Sequence, residues 1–313
     1  MRVLVTGGCG FIGSHVVDLL TTKGHEVMVI DDLSTGRREN LRAGINFCIF
    51  RLEKFPVMLN NCFEQFKPQA VLHLAAQASI SRSLEDPERD LETNTLATVM
   101  LLRECAAHQV RSFVFASTSA VYADTTKGKL SEGKSRTAPN SPYGLSKLAA
   151  EAYARMLLPN RAVILRMGNV YGPRQIPIGE NQLMARMIRH LKYKEGFYIF
   201  GDGKQKRDFV YVEDAARAFL LGINGKPGTY NIAGGGAVSV NEAARLMGEE
   251  WGIPNYEWKH DAGRYDERRH VQMDIFEAER ELGWTPEVSL GEGMKRTMDW
   301  WNERQDENGH RAV

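Results

Sequence analysis

The chain has 313 residues, with 40 Lys+Arg against 39 Asp+Glu, a formal net charge of +1, and 43% hydrophobic and 25% charged residues. That length allows one large domain or two ordinary ones with a sizeable core, and the composition is that of a soluble globular protein. The near-neutral balance excludes a general electrostatic drive toward nucleic acid or an anionic membrane, so an anionic ligand must be held by local groups.

Residues 3–6 form a short β-branched run that stops at Gly7-Gly8. Residues 14–23 then carry Val16, Val17, Leu19 and Leu20 and end at Gly24, the pattern of a helix closed by glycine. Residues 26–30 read as a second strand, ending at Asp31-Asp32. Further strands are expected at 47–50, 70–74, 112–116 and 162–166, with helices at 94–108 and 143–158 between the later ones. Strand, helix, strand in this rhythm predicts an α/β fold with a Rossmann-like, doubly wound parallel sheet. The strands are nearly continuous apolar runs, which fits a sheet covered on both faces.

After Gly168 the rhythm breaks. Residues 172–180 read as a Pro/Gly-rich loop, 181–191 as a helix and 201–206 as a polar loop. Strands at 209–212 and 229–232 are expected to return to the sheet, and helices at 240–251 and 291–301 to build a smaller C-terminal lobe. The expected division is a first lobe of 1–167, with 208–235 returning to it, and a second lobe of 168–207 and 236–313. Clefts between such lobes are common ligand sites.

The cysteines Cys9, Cys48, Cys62 and Cys105 show no CxxC, and buried reduced thiols are expected. No His/Cys group has zinc-ligand spacing, so no metal is expected. The N-terminus has no signal-peptide apolar core, and no apolar run approaches the roughly 18 residues of a membrane span. A cytoplasmic protein is the simplest expectation.

Gly7-x-x-Gly10-x-x-Gly13 lies between the first strand and the first helix. Glycines there let the backbone turn sharply and approach a pyrophosphate, whose charge then meets the helix N-terminus. Asp31 ends the second strand, where a carboxylate accepts the ribose hydroxyls of NAD and repels a 2′-phosphate. A plain turn residue is the alternative for Asp31, and Arg37 and Arg38 keep NADP open. Tyr143-x-x-x-Lys147 opens a helix, where positions i and i+4 share a face. A lysine ammonium beside a phenol, with the charge of an oxidised nicotinamide, lowers the phenol's pKa from about 10 toward a usable base. An exposed helix face is the other reading of that spacing. Ser117-Thr118-Ser119 follows a strand, at the end of the sheet where such folds bind ligands, or else makes a hydroxyl-rich turn.

The segments TGGCGFIGSH, DDLSTG, HLAAQ, STSAVY, SPYGLSK, RMGNVYGPRQ, GDGKQKRDFVYVED and ERELGW run in order over nearly the whole chain. Together they resemble the extended short-chain dehydrogenase/reductase family, and within it the nucleotide-sugar epimerases of the UDP-galactose 4-epimerase type. The resemblance implies a tightly held NAD and a UDP-sugar substrate. It makes Tyr143 the base, Lys147 its partner and Thr118 the hydroxyl that bonds the sugar O4. It puts Gly7, Gly10, Phe11, Ile12 and Gly13, then Asp31, Asp32, Leu33, Ser34, Thr35 and Gly36, at the cofactor. Leu52, Leu74, Ala75, Ala76, Gln77, Asn94, Ser117 and Met167 complete that side, together with Tyr143 and Lys147. Asn169, Gln182, Arg207 and Arg264 fall where the family holds the diphosphate, and Ile199 and Phe200 where it flanks uracil; Ser119, Leu183, Glu267 and Val271 belong to the same substrate set. Forked arginines suit phosphate oxygens, although Arg207 also reads as a loop charge and Val271 as an ordinary strand residue.

Two positions depart from the family. Its Asp after the third strand is replaced by Phe50-Arg51-Leu52, and its glycine after VY by Ala123. Similar dehydratases carry Asp-Glu, and similar decarboxylases a Glu, just after the hydroxyl. Here Ser119-Ala120 stand there, so 4-epimerisation through a 4-keto sugar is the favoured reaction. The alternatives are a related nucleotide-sugar enzyme, such as a UDP-uronate epimerase or decarboxylase or a 4,6-dehydratase, or a non-catalytic NAD-binding protein. A homodimer is expected through the 94–108 and 143–158 helices, by way of Leu96, Val99, Met100, Leu102, Ala106, Leu148, Ala152 and Met156.

Overall fold

The computed structural model of the chain describes residues 1–177, 182–262 and 269–303. Its first half runs β1 (Arg2–Thr6), α1 (Phe11–Thr22), β2 (Glu26–Asp31), β3 (Asn46–Ile49), α2 (Pro56–Phe66), β4 (Ala70–His73), α3 (Ile80–Glu85) and α4 (Pro87–Leu91). It continues with α5 (Ala97–Ala107), β5 (Ser112–Thr118), α6 (Pro142–Leu157) and β6 (Ala162–Met167). A π-turn over Glu92–Leu96 joins α4 and α5 into one helical run. The second half has β7 (Asn169–Tyr171), α7 (Leu183–Tyr193), β8 (Ile199–Phe200), β9 (Lys206–Tyr211), α8 (Val212–Gly222) and β10 (Gly228–Ile232). β11 (Ala237–Ser239), α9 (Val240–Glu250), β12 (His260–Asp261), α10 (Phe276–Leu282) and α11 (Leu290–Glu303) follow.

Among the described residues the large sheet has seven strands in the order β10-β6-β5-β4-β1-β2-β3, and every neighbouring pair is parallel. Side chains alternate across it: Val3 and Val5 enter the core shared with α1 and α8, while Leu4 enters the core shared with α2, α5 and α6. Successive residues thus need to be apolar for different reasons, which is why these strands read as unbroken runs. The chain turns one way from β1 to β2 and β3, and the other way to β4, β5 and β6. The crevice between β1 and β4 is therefore the switch point where doubly wound sheets bind ligands.

The smaller lobe packs α7, α9 and α11 around its own aromatic and methionine core, with Phe197, Tyr171, Tyr211, Met184 and Met294. One expectation fails here. The strand expected at 209–212 does not return to the large sheet: β9 pairs in parallel with β7 and antiparallel with β11 in a separate three-stranded sheet. The place beside β6 is taken by β10, and Val212 already begins α8. The chain returns to the first core through that helix, whose Ala215, Ala216 and Phe219 join the residues of α1.

Candidate active site

The glycine turn sits on the switch point. The Gly7 amide donates to Ile30 O at 2.8 Å, and a Cβ on Gly7 would lie 2.5 Å from Ala75 N and 2.7 Å from the Leu74 carbonyl carbon. Gly10 caps α1 without a side chain, so the first amides of that helix face outward. A Cβ on Gly13 would lie 2.0 Å from Gly7 O, so the turn closes tightly only around a glycine. This bare cradle at a helix N-terminus fits a pyrophosphate.

Asp31 is buried, with Oδ2 accepting the Cys9 amide and Oδ1 the Leu33 amide, each at 2.9 Å. Burial pushes its carboxyl above the usual range. The loop through Leu33, Ser34, Thr35 and Gly36 folds over it. Asp32 is engaged elsewhere: Oδ1 accepts from the Ser34 amide and hydroxyl, and Oδ2 faces Arg51 at 3.5 Å. Arg51, in the stretch where the family often has an Asp, thus has a local partner. Leu52 is buried among Phe50, Leu59 and Phe63. Arg38 lies over the Phe47 ring and bonds Leu41 O.

A cleft of about 360 Å³ opens beside the turn and is lined by both lobes. From the first lobe come Phe11, Ile12, Leu74, Ala76, Met167 and the Thr118, Tyr143, Lys147 set. From the second come Asn169, Gln182, Leu183, Ile199, Phe200 and Arg207, with Val271 between. Most of the substrate residues expected from sequence therefore meet in one cleft; Arg264 and Glu267 lie outside the described residues. Val271 is buried against Val121, Leu130 and Met273, and its amide donates to Lys206 O at 3.1 Å.

Helix α6 places the phenol and the lysine. The Ser141 hydroxyl accepts the Gly144 amide at 3.2 Å, and Pro142 sets the first turn. One turn later Glu151 accepts Arg166 Nε at 2.9 Å and Nη2 at 2.7 Å, with both residues buried, and this pins α6 to β6. The Ser117 hydroxyl donates to the same carboxylate at 2.6 Å, so it also joins the ion pair. Thr118, next along β5, accepts the Ala120 amide at 3.1 Å and bonds the Tyr143 phenol.

Burial works against both ionic forms. It pushes the Tyr143 phenol up to about 12, against the Thr118 hydrogen bond that favours phenolate. Lys147 is driven down to about 7, with its ammonium 4.2 Å from the centre of the Phe115 ring. Burial and the Asp90 charge together outweigh the Thr118 hydrogen bond, and the lowering expected from the lysine is not seen. Gln77 and Asn94 were expected at the cofactor; the Asn94 side chain accepts the Gln77 amide and donates to the Gln77 carbonyl, and both side chains donate to Asp90.

Gln175 was not picked out from the sequence. It is buried at the cleft wall, with Nε2 donating to Val170 O at 2.9 Å and Oε1 unpartnered. Its place in RMGNVYGPRQ, six residues after Asn169, was the available signal. Arg186, on the α7 face that meets Phe197 and Phe200, was also missed. Among the described residues no cluster of three or more His, Cys, Asp or Glu has metal-binding geometry, and no helix is long and apolar enough to cross a membrane.

The sequence model of the NAD dependent epimerase/dehydratase family matches residues 3–233. A protein of Methanocaldococcus jannaschii named putative UDP-glucose 4-epimerase is 37% identical over 302 residues, covering 95% of this chain and 97% of that one. The crystal structure of a Thermotoga maritima UDP-glucose 4-epimerase with UDP-glucose superposes with a TM-score of 0.92 at 38% identity, covering 97% of this chain and 99% of that one. A Thermus thermophilus UDP-glucose 4-epimerase in complex with NAD gives a TM-score of 0.90 at 36% identity, over 96% and 99% of the two chains.

Proposed function

The chain belongs to the NAD-dependent epimerase/dehydratase family, and from that premise we propose that it is an NAD-dependent UDP-sugar 4-epimerase working through a 4-keto sugar. The observation that carries this reading is the wall of the cleft. A phenol, a hydroxyl and an ammonium meet there, while Ser119 and Ala120 stand where elimination or decarboxylation chemistry needs a carboxylate. Tyr143 takes the proton of the sugar O4, Thr118 orients that oxygen, and Lys147 supplies positive charge to the phenolate. NAD held at the glycine turn would supply a positive charge near the phenol and the hydride acceptor for C4. Gly7, Gly10 and Gly13 cradle its pyrophosphate and Asp31 faces its ribose. Asn169, Gln182 and Arg207, with Arg264, hold the diphosphate, and Ile199 and Phe200 flank the base. The NAD lobe is 1–167 together with the return that begins at Val212; the remainder forms the sugar lobe. Four free cysteines suit a reducing, cytoplasmic setting.

The test is incubation with UDP-glucose, UDP-galactose, their N-acetyl forms, UDP-uronates and UDP-pentoses, followed by product analysis. An epimer of unchanged mass is expected. A product lighter by water or carbon dioxide would overturn the reading in favour of a dehydratase or decarboxylase.

Val271 is expected to admit N-acetylated sugars, because it stands where a bulky side chain would close the space beside the sugar C2 substituent. Val271→Tyr should then lose turnover of UDP-N-acetylglucosamine while keeping that of UDP-glucose. Equal processing of both sugars by the variant refutes the gate.

A homodimer is the assembly we expect. Leu102 is fully buried and belongs to the core, but Leu145 is 60% and Met156 66% exposed, with Leu96 and Tyr153 also exposed beside them. So much apolar surface on adjoining helices fits an isologous contact with a second copy. Light scattering should give twice the chain mass, and Leu145→Glu with Met156→Glu should halve it. A monomeric wild type disproves the dimer.

A further inference from the structure

Asp90 belongs to none of the sites described above. It is only 1% exposed, yet it carries a carboxyl. Its Oδ2 accepts the Ser146 hydroxyl at 2.6 Å, and its Oδ1 accepts Gln77 Nε2 and Asn94 Nδ2, both at 2.9 Å. Three segments converge on it: the loop after β4, the π-turn that carries Asn94, and α6. Such π-turns often mark functional positions. All three donors are uncharged; burial pushes the carboxyl up, and these three bonds work against that rise and favour the carboxylate. A buried charge acts strongly on its surroundings.

The cation whose charge reaches it is Lys147, the residue after Ser146 and itself 2% exposed. Of the other groups around that lysine, Glu151 also raises it, but less than Asp90 does. Glu151, one turn further along α6, is held in a fork by Arg166 and approached by Arg155 at 3.2 Å, so its charge is balanced where it stands. His73, on β4, shares hydrogen bonds with Thr6 at 2.6 Å and Thr98 at 2.8 Å. Burial holds it near 3, hence neutral. Tyr143 is a neutral phenol in the chain alone. Phe115, from β5, adds only its ring face.

We propose that Asp90 is the counter-charge of Lys147, a positioning residue that keeps the lysine ammonium charged beside Tyr143. This rests on the reading of Tyr143 and Lys147 as the acid–base pair. Of the two charges that oppose the fall of Lys147 toward 7, Asp90 is the larger. The same negative charge also raises Tyr143. Removing it must therefore move both ionisations in the same direction, toward acid.

The experiment is the pH profile of kcat/KM for UDP-glucose, measured on the NAD-loaded protein. Asp90→Asn keeps the size and the acceptor toward Gln77 and Asn94. Its amide would donate to Ser146, whose proton can turn to Tyr143 O at 3.0 Å. Both limbs of the profile are expected to move to lower pH by roughly one unit. Ser146→Ala removes a hydrogen bond but keeps the charge, and should leave the limbs in place. If Asp90→Asn does not accumulate as folded protein, Asp90→Ala reads the same limbs. A lower maximum with unmoved limbs would make Asp90 a structural brace and overturn the proposal. Lys147→Met separates the two levels of failure. If that variant turns over like wild type, the acid–base reading is wrong; if it is inactive while Asp90→Asn keeps both limbs, only the counter-charge is wrong.

Discussion

Tyr143→Phe is expected to lower turnover by about 10²-fold or more while leaving NAD and UDP-sugar binding nearly intact. The substitution deletes one oxygen, the group placed to take the O4 proton, and keeps the ring that lines the cleft. It also removes the partner of the Thr118 hydroxyl, which keeps its bond to the Ala120 amide and so stays in place. Burial of a phenol without its hydroxyl is not a cost, so the fold should be unaffected. The loss therefore has to appear in kcat, with KM for UDP-glucose nearly unchanged. Titration calorimetry with UDP on the variant checks the second half of that statement. Near wild-type turnover would mean that another group handles the proton.

How much of this could be read from the sequence depends on the range of the interaction involved. The large sheet was legible because each strand is covered on both sides, so Val3, Leu4 and Val5 must all be apolar. The Tyr143–Lys147 pair was legible because helical spacing puts i and i+4 on one face. Strand β9 was legible as a strand but not as a member of the right sheet. Its neighbours β7 and β11 are distant in the chain, and its β-branched end runs straight into α8. The same limit hid Asp90. Gln77 and Asn94 read only as cofactor-side residues, and Ser146 not at all, until the fold brings three segments onto one carboxylate. Ser117 was placed on the right strand, yet its hydroxyl turns to Glu151, a partner 34 positions away. The direction of the Tyr143 shift was the least accessible of all. Spacing reports which charges are near a phenol, but burial decides which effect prevails.

Gly13→Ala tests the cofactor site at its narrowest point. The wild-type protein is expected to purify with NAD bound, because a hydride returned to the same sugar leaves the cofactor no reason to dissociate. In the variant the new methyl would lie 2.0 Å from Gly7 O and 2.9 Å from Gly8 Cα. Both are backbone atoms, so no side chain can rotate away. Relief requires the turn to open or α1 to shift, and either movement withdraws the amides at the helix N-terminus from the pyrophosphate. Overpacking of this kind costs about 1–3 kcal/mol, so a lower melting temperature is expected alongside the loss of bound NAD. Stability alone could confuse the result, and Gly24→Ala separates the two effects. Gly24 closes the other end of the same helix with φ +76 and open space around it. Its substitution costs about 1–2 kcal/mol of left-handed strain and should leave the NAD content of the purified protein at the wild-type level. Both variants then melt early, but only Gly13→Ala arrives empty and needs added NAD at high concentration for any turnover. A Gly13→Ala protein that still carries a full complement of NAD would show that the pyrophosphate is held elsewhere, and the assignment of the turn would fall with it.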